Sequence, residues 1–107
     1  MTEEVILTDE RIKHIKEHHP GDYEKYNKYL KKIIETPDYI LEDEKNTDTV
    51  IYLKTIKDNN KNLQIVLKLV TKITNKNHKN SILTFWKIKE KTLHQLLRNK
   101  KIIYKKE

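Results

Sequence analysis

Three histidines near the N-terminus are the residues of this 107-residue chain best suited to proton chemistry. His14 and His18 are four positions apart, so on a helix they share one face, about one turn apart. The unperturbed pKa of histidine, about 6.5, suits a general acid or base near neutral pH. His19 follows directly, on a different helix face. The pair predicts acid–base catalysis, and a solvated, histidine-rich helix face is the alternative interpretation.

The same segment also matches a metal-binding pattern. Residues 14–18 read HIKEH, which fits the H-x-x-E-H pattern of inverted zinc peptidases. Catalytic zinc normally keeps three protein ligands, and only three carboxylate residues follow Asp48 to supply the third. We therefore expect no metal ligand and no cofactor, and we keep a zinc-dependent hydrolase as an alternative.

A second set of candidates comes from segments whose apolar residues alternate with a period of two, which is typical of strands. We take the leucines and isoleucine of residues 63–69 as facing the core. The face of the sheet that points away from this core then contains Tyr52, Lys54, Gln64, Lys68, Thr84 and Trp86. Lysines, a hydroxyl and exposed aromatic rings suit phosphate binding and base stacking. The alternative is an ordinary solvated face, with Trp86 in the core.

The charge of the chain is distributed unevenly. The net charge is +7, but lysine supplies 21 of the 23 basic residues, a bias that an AT-rich genome also produces. Residues 1–48 carry a net charge of −5, whereas residues 49–107 carry +12. This asymmetry predicts an acidic half packed beside a basic half that is free to face a polyanion. A merely solvated lysine surface is the alternative.

Length and composition indicate one domain over residues 1–107. The chain has no cysteine, which excludes disulfides and thiolate metal sites. No apolar run approaches the roughly 20 residues of a membrane span, and the acidic N-terminus lacks the apolar region of a secretory signal. We therefore expect a cytoplasmic protein without a membrane partner. The oligomeric state stays open.

Local signals predict the elements that must position these residues. Thr8 is a good N-cap for a first helix that stops at His19-Pro20-Gly21, and a second helix runs from Asp22 to Thr36-Pro37. After Pro37 the period changes to two, with strands at 39–41, 49–56, 63–74 and 81–88 and turns between them, one at 57–62. A closing helix at 89–100 precedes an edge strand at 102–104. The predicted fold class is α+β: two N-terminal helices, a three- to four-stranded antiparallel sheet with residues 63–74 central, and a C-terminal helix. Helices on one face of this sheet would leave the other face for a ligand.

The order of these segments resembles phage-borne nuclease domains of the barnase–EndoU–colicin–RelE-like (BECR) ribonuclease superfamily. The resemblance covers roughly residues 5–90. It rests on a series of short motifs: LTDERIKHI (residues 7–15) with HHP (18–20), TPDYIL (36–41), LQIVLKL (63–69) and NSILTFW (80–86).

The resemblance implies a helix-then-four-strand α+β fold and metal-independent RNA cleavage, often in toxins or mobile elements. By this resemblance, the histidine that the family carries on its first helix corresponds to His14, with a second at His18 or His19. The family's basic strand residue corresponds to Lys54 or Lys68. Its strand hydroxyl corresponds to Ser81 or Thr84. We expect catalysis by His14, His18, Lys54 and Thr84. We expect RNA binding by Arg11, His19, Tyr52, Lys68, Ser81 and Trp86.

RNA is the expected partner, and a toxin role would add a cognate inhibitor protein. The alternative on the same fold is a non-catalytic module that binds RNA or protein.

A chelator separates the metal-free reaction from the zinc-dependent alternative. We expect purified protein to cleave total RNA at the same rate with and without EDTA, because no step needs a Lewis acid when histidines move the protons. The measurement is the appearance of new RNA ends over time. Cleavage that stops with EDTA and returns with added zinc would establish the hydrolase alternative instead.

Overall fold

The computed structural model describes residues 5–45, 48–58, 60–70 and 80–106. Its elements are, in chain order, β1 (Val5–Ile6), α1 (Asp9–His18), α2 (Asp22–Tyr26), a 3₁₀ turn (Asn27–Tyr29), α3 (Leu30–Glu35), β2 (Tyr39–Glu42), β3 (Thr49–Asp58), β4 (Lys61–Val70), β5 (Asn80–Ile88), α4 (Glu90–Asn99) and β6 (Lys101–Lys105). The strands form one sheet in the order β1-β5-β4-β3-β2-β6. The predicted α+β class is confirmed, with helices before the main strands of the sheet and a helix near the C-terminus.

The sheet is wider than predicted. The central place of β4 between β3 and β5, antiparallel to both, is confirmed as far as Val70, and residues 71–74 of the predicted strand lie outside the described residues. The predicted edge strand at 102–104 is confirmed as β6, which pairs antiparallel with β2 at one edge of the sheet. The two-residue β1, which pairs parallel with β5 at the other edge, lies beyond the expected strands. The predicted turn over 57–62 is narrower than expected, because the β3–β4 ladder continues until Asp58 lies opposite Lys61.

The first helix begins and ends where its sequence signals predict. The Thr8 hydroxyl accepts a hydrogen bond from the Arg11 backbone N–H at 3.2 Å, which caps the start of α1. The helix ends at His18, before Pro20. Gly21 then has a φ of +85°, a left-handed conformation that glycine adopts without the penalty of a Cβ atom. The chain thereby turns within three residues from α1 into α2.

The predicted second helix is divided into α2, a 3₁₀ turn and α3, which corrects the expectation of two N-terminal helices to three short ones. Side chains three positions apart are eclipsed in a 3₁₀ helix. The rings of Tyr26 and Tyr29 accordingly lie on one side, with centroids 6.5 Å apart, and both pack against the core. Regular α-helical periodicity in the sequence does not distinguish this arrangement from a continuous helix.

Both faces of the sheet are covered by helices. We call them the α1–α3 face and the α4 face. The core of the α1–α3 face contains Ile15, Tyr26, Ile33, Ile56, Leu63, Ile65, Leu67, Leu69, Ile82 and Phe85. The core of the α4 face contains Leu41, Ile51, Leu53, Val66 and Ile88, packed against Leu93, Leu96 and Leu97 of α4. The expectation that one face stays free for a ligand is therefore wrong, because α4 folds back over it.

The register of β3 and β4 also corrects the predicted polar face. Tyr52 lies opposite Leu67 and Lys54 opposite Ile65, and directly opposed residues of antiparallel strands share a face. Tyr52 and Lys54 are therefore on the α1–α3 face. The other members of the predicted set are on the α4 face: Gln64, Lys68, Thr84 and Trp86. The expected single face is thus divided between the two sides of the sheet.

Lys54 is buried and attached to the segment that joins α3 to β2. Its Nζ donates a hydrogen bond to the Thr36 carbonyl and lies 3.6 Å from Asp38 Oδ1. The other carboxylate oxygen, Asp38 Oδ2, accepts a hydrogen bond from the Thr55 backbone N–H at 2.8 Å. Asp38 therefore compensates a buried charge and satisfies a strand N–H at the same time.

Replacing Asp38 with alanine should lower the free energy of unfolding by about 2–4 kcal/mol, because it leaves a buried ammonium group without its carboxylate and a backbone donor without its acceptor. Urea denaturation measures the change. Glu35→Ala removes the same charge from an exposed position at the end of α3 and should cost within about 0.5 kcal/mol. Equal effects of the two substitutions would contradict the structural role of Asp38.

Candidate functional site

Helix α1 carries the two histidines beside a residue that anchors the helix to the sheet. Ile15 is fully buried in the core of the α1–α3 face, and α1 packs against β5. The neighbouring His14 is partly buried and His18 is exposed. Their ring centroids are 4.2 Å apart, with 34° between the ring planes. The predicted proximity of the two imidazoles is thus present in the fold, held by the burial of Ile15.

Arg11 extends this group towards the start of the helix. It lies three positions before His14, which places it on the same helix face. The side chain is partly buried, and within the described residues its guanidinium makes no ion pair. A guanidinium stays charged at any working pH and matches the geometry of phosphate oxygens. We call Arg11, His14 and His18 the α1 cluster: one guanidinium and two imidazoles on the same helix face.

His19 and Trp86 form a stacked pair at the end of α1. Their ring planes are 5° apart and their centroids 5.1 Å apart. The His19 backbone N–H donates to the Ile15 carbonyl at 2.8 Å, which holds the residue at the end of the helix. Trp86 packs against the core of the α4 face and keeps part of its surface exposed. Two residues expected to bind RNA therefore contact each other across 67 positions of the sequence.

Asp22, which the sequence predicts only as the start of the second helix, links the C-terminal end of β5 to the helices by a hydrogen bond. Its Oδ2 accepts a hydrogen bond from the Lys87 backbone N–H at 3.2 Å. Asp22 is the first residue of α2, so the α1–α2 turn is attached to the strand beside Trp86. No pattern in the sequence indicates this contact, because it joins residues 65 positions apart.

The remaining strand candidates lie on the α4 face. Lys68 Nζ is 3.0 Å from Oδ2 of the buried Asp43, so its charge is compensated. Thr84 lies opposite Lys68, and its Oγ1 is buried without a hydrogen-bond partner among the described residues. Ser81, opposite Val70, is partly buried at the start of β5. These residues neighbour one another across β4 and β5. Ile15 packs α1 against the other face, so the sheet separates these strand candidates from Ile15.

Tyr52 and Lys54 are engaged in packing on the α1–α3 face. Tyr52 contacts the core there, and burial raises the pKa of its hydroxyl above the ordinary value of 10.0. The hydroxyl is therefore protonated at neutral pH. Lys54 is held by Thr36 and Asp38. The prediction that both side chains share a face with Thr84 and Trp86 is therefore wrong.

Metal-ligand clusters and membrane-spanning helices are both absent from the described part of the chain. Within residues 5–45, 48–58, 60–70 and 80–106, no three or more histidine, aspartate or glutamate side chains are arranged to hold a metal ion. The described helices have at most ten residues, and none of them is long and apolar enough to cross a bilayer.

Short helices packed on a mainly antiparallel sheet, with an arginine and two imidazoles on the first helix, make up a small α+β domain. The chain belongs to the family described as phage-Barnase-EndoU-ColicinE5/D-RelE like nuclease2, which matches residues 1–105. The resemblance found in the sequence is thereby confirmed, over nearly the whole chain. No curated protein and no solved structure matches it.

Replacing Thr84 with valine should raise the free energy of unfolding by about 1 kcal/mol, because a buried hydroxyl without a partner is exchanged for a methyl group. Thermal unfolding measures the change, with an expected rise in Tm of about 4 °C. Thr55→Val, at an exposed position of β3, is the matched control and should change little. Destabilisation by Thr84→Val would show that the hydroxyl has a partner in solution.

Proposed function

We propose that the protein is a metal-independent endoribonuclease whose reaction takes place at the α1 cluster. The observation that carries the proposal is the pair of imidazoles 4.2 Å apart, on one helix face with a guanidinium that makes no ion pair to a described residue, in a chain of the BECR-like nuclease family. In this reaction the RNA 2′-oxygen forms a bond to its own phosphorus and the bond to the 5′-oxygen breaks. The products are a 2′,3′-cyclic phosphate and a 5′-OH end.

The two histidines perform the two proton transfers. One neutral imidazole accepts the proton of the 2′-OH, and the other, protonated, donates a proton to the leaving 5′-oxygen. The phosphate must lie between the rings for both transfers. His18 is exposed, so its side chain is free to rotate on the nanosecond timescale and admit the phosphate beside the partly buried His14. Which histidine is the base stays open.

Arg11 stabilises the negative charge that develops on the pentavalent phosphorus group. A preorganised cation aimed at that charge lowers the barrier more than one paired elsewhere. Lys54 and Lys68, the cations expected from the sequence, are each paired with an aspartate, at 3.6 Å and 3.0 Å. Arg11 has no such partner among the described residues and shares the helix face of His14. It therefore takes the role that the sequence analysis gave to a strand lysine.

The His19–Trp86 stack positions a base next to the cleaved bond. Unpaired RNA bases stack on aromatic rings, and such contacts contribute about 1–3 kcal/mol per base. The stack begins one residue after His18, and each ring is partly exposed. A nucleotide whose phosphate lies at the α1 cluster can thus place a neighbouring base on this pair.

Replacing His14 with alanine should lower the rate of RNA cleavage by about 10²–10⁴-fold, the usual effect of losing a positioned acid or base. The wild-type pH–rate profile should be bell-shaped, because one imidazole must be neutral and the other charged. His14→Ala and His18→Ala should each abolish one limb of the bell. The measurement is single-turnover cleavage of a labelled RNA, with mapping of cyclic-phosphate and 5′-OH ends.

His94→Ala is the matched control. His94 is exposed on α4, where its Nε2 lies 3.5 Å from Glu90 Oε2, and its loss should leave the rate unchanged. Full activity in both α1 variants would make the cluster a solvated helix face and remove the main support for the mechanism. RNA binding without any new ends would favour the non-catalytic module.

A further inference from the structure

A lysine-lined cleft lies beside α2, on the α1–α3 face. Its volume is about 460 Å³, and Tyr26 and Leu63 form its apolar floor. Four lysines from four different elements surround it: Lys25 of α2, Lys28 of the 3₁₀ turn, Lys61 of β4 and Lys87 of β5. None of these residues was among the expected RNA contacts. We call this feature the lysine cleft.

The lysine cleft concentrates positive charge that the described side chains do not compensate. Its one carboxylate, Glu24, lies 3.6 Å from Lys16 outside the cleft. Lys28 contacts a ring, with its Nζ 5.3 Å from the centroid of Tyr29. No ion pair to the four cleft lysines is present among the described side chains. Neighbouring like charges repel, so a bound polyanion would relieve a cost that the folded protein otherwise carries.

The lysine cleft and the His19–Trp86 stack lie on the two opposite faces of the same end of β5, because successive side chains of a strand alternate between faces. Lys87 directly follows Trp86, and its backbone N–H is bonded to Asp22, the first residue of α2. The same helix supplies Lys25. An RNA strand that leaves the stack therefore reaches the lysine cleft by passing round the edge of β5.

We propose that the lysine cleft binds backbone phosphates of single-stranded RNA that flank the cleaved bond. Phosphates supply the negative charge that the lysines lack. A single strand is required because a base can stack on His19–Trp86 only when it is unpaired. The choice of RNA as the ligand rests on the proposed function.

The test measures binding without cleavage, so that the two proposals fail separately. The parent protein is the His14→Ala, His18→Ala double variant. The probe is a labelled 12-nucleotide single-stranded RNA. Fluorescence anisotropy measures its binding at several salt concentrations. Adding Lys28→Ala, Lys61→Ala and Lys87→Ala should raise Kd by about tenfold at low salt. The slope of log K against log salt should become shallower by about 2, since each phosphate contact to a single strand contributes roughly 0.7.

A second triple variant removes the same charge elsewhere. Lys31, Lys91 and Lys105 are exposed residues of α3, α4 and β6, and replacing all three with alanine should leave the slope nearly unchanged. An equal loss in both triple variants would overturn the proposal in favour of net charge alone. Absence of RNA binding by the parent, or equal affinity for duplex RNA, would also overturn it. Cleft-dependent binding by a wild-type protein that cuts no RNA would sustain the cleft and end the endoribonuclease proposal.

Discussion

The register between β3 and β4 puts one lysine on each covered face of the sheet, and the rest of the structure accommodates these two charges. Lys54 lies opposite Ile65 and Lys68 opposite Ile51. A charge removed from water is costly unless it is paired. Their partners, Asp38 and Asp43, immediately precede and follow β2 in the chain. Pairing both lysines therefore sets β2 against β3, and β2 in turn provides the edge on which β6 pairs.

The ion pairs of Lys54 and Lys68 change where a basic surface for a ligand is expected from the uneven charge of the chain. The sequence places most carboxylates before residue 49 and most lysines after it, which predicted a basic half free to face a polyanion. In the fold, carboxylates of the acidic half compensate the strand lysines instead. The lysines that converge on the cleft make no ion pair to a described side chain. They come from both halves of the chain, Lys25 and Lys28 from one and Lys61 and Lys87 from the other. The uneven charge of the sequence predicts a polyanion as the ligand, but the place where the lysines converge depends on tertiary contacts.

Features with a local cause could be predicted from the sequence, and features set by long-range contacts could not. The cap at Thr8, the end of α1 and the adjacency of His14 and His18 follow from helix geometry within one or two turns. The alternation of residues along β3 could also be predicted from the sequence, but which residues face which side of the sheet could not. Ile51 and Ile56 point to opposite faces, so apolar residues occur on both sides of that strand. Only pairing with β4 decides which side Lys54 occupies.

The short first strand explains why the candidate site lies along β5. β1 pairs only with the beginning of β5, at Asn80 and Ser81. Among the described residues no strand covers the rest of that edge, whose backbone donors still need acceptors. The α1–α2 turn supplies one through Asp22, which accepts from the Lys87 N–H, while His19 covers Trp86. Covering this edge brings the end of α1 to β5, so the same contacts that complete the sheet bring the histidine helix, the aromatic stack and the lysine cleft together.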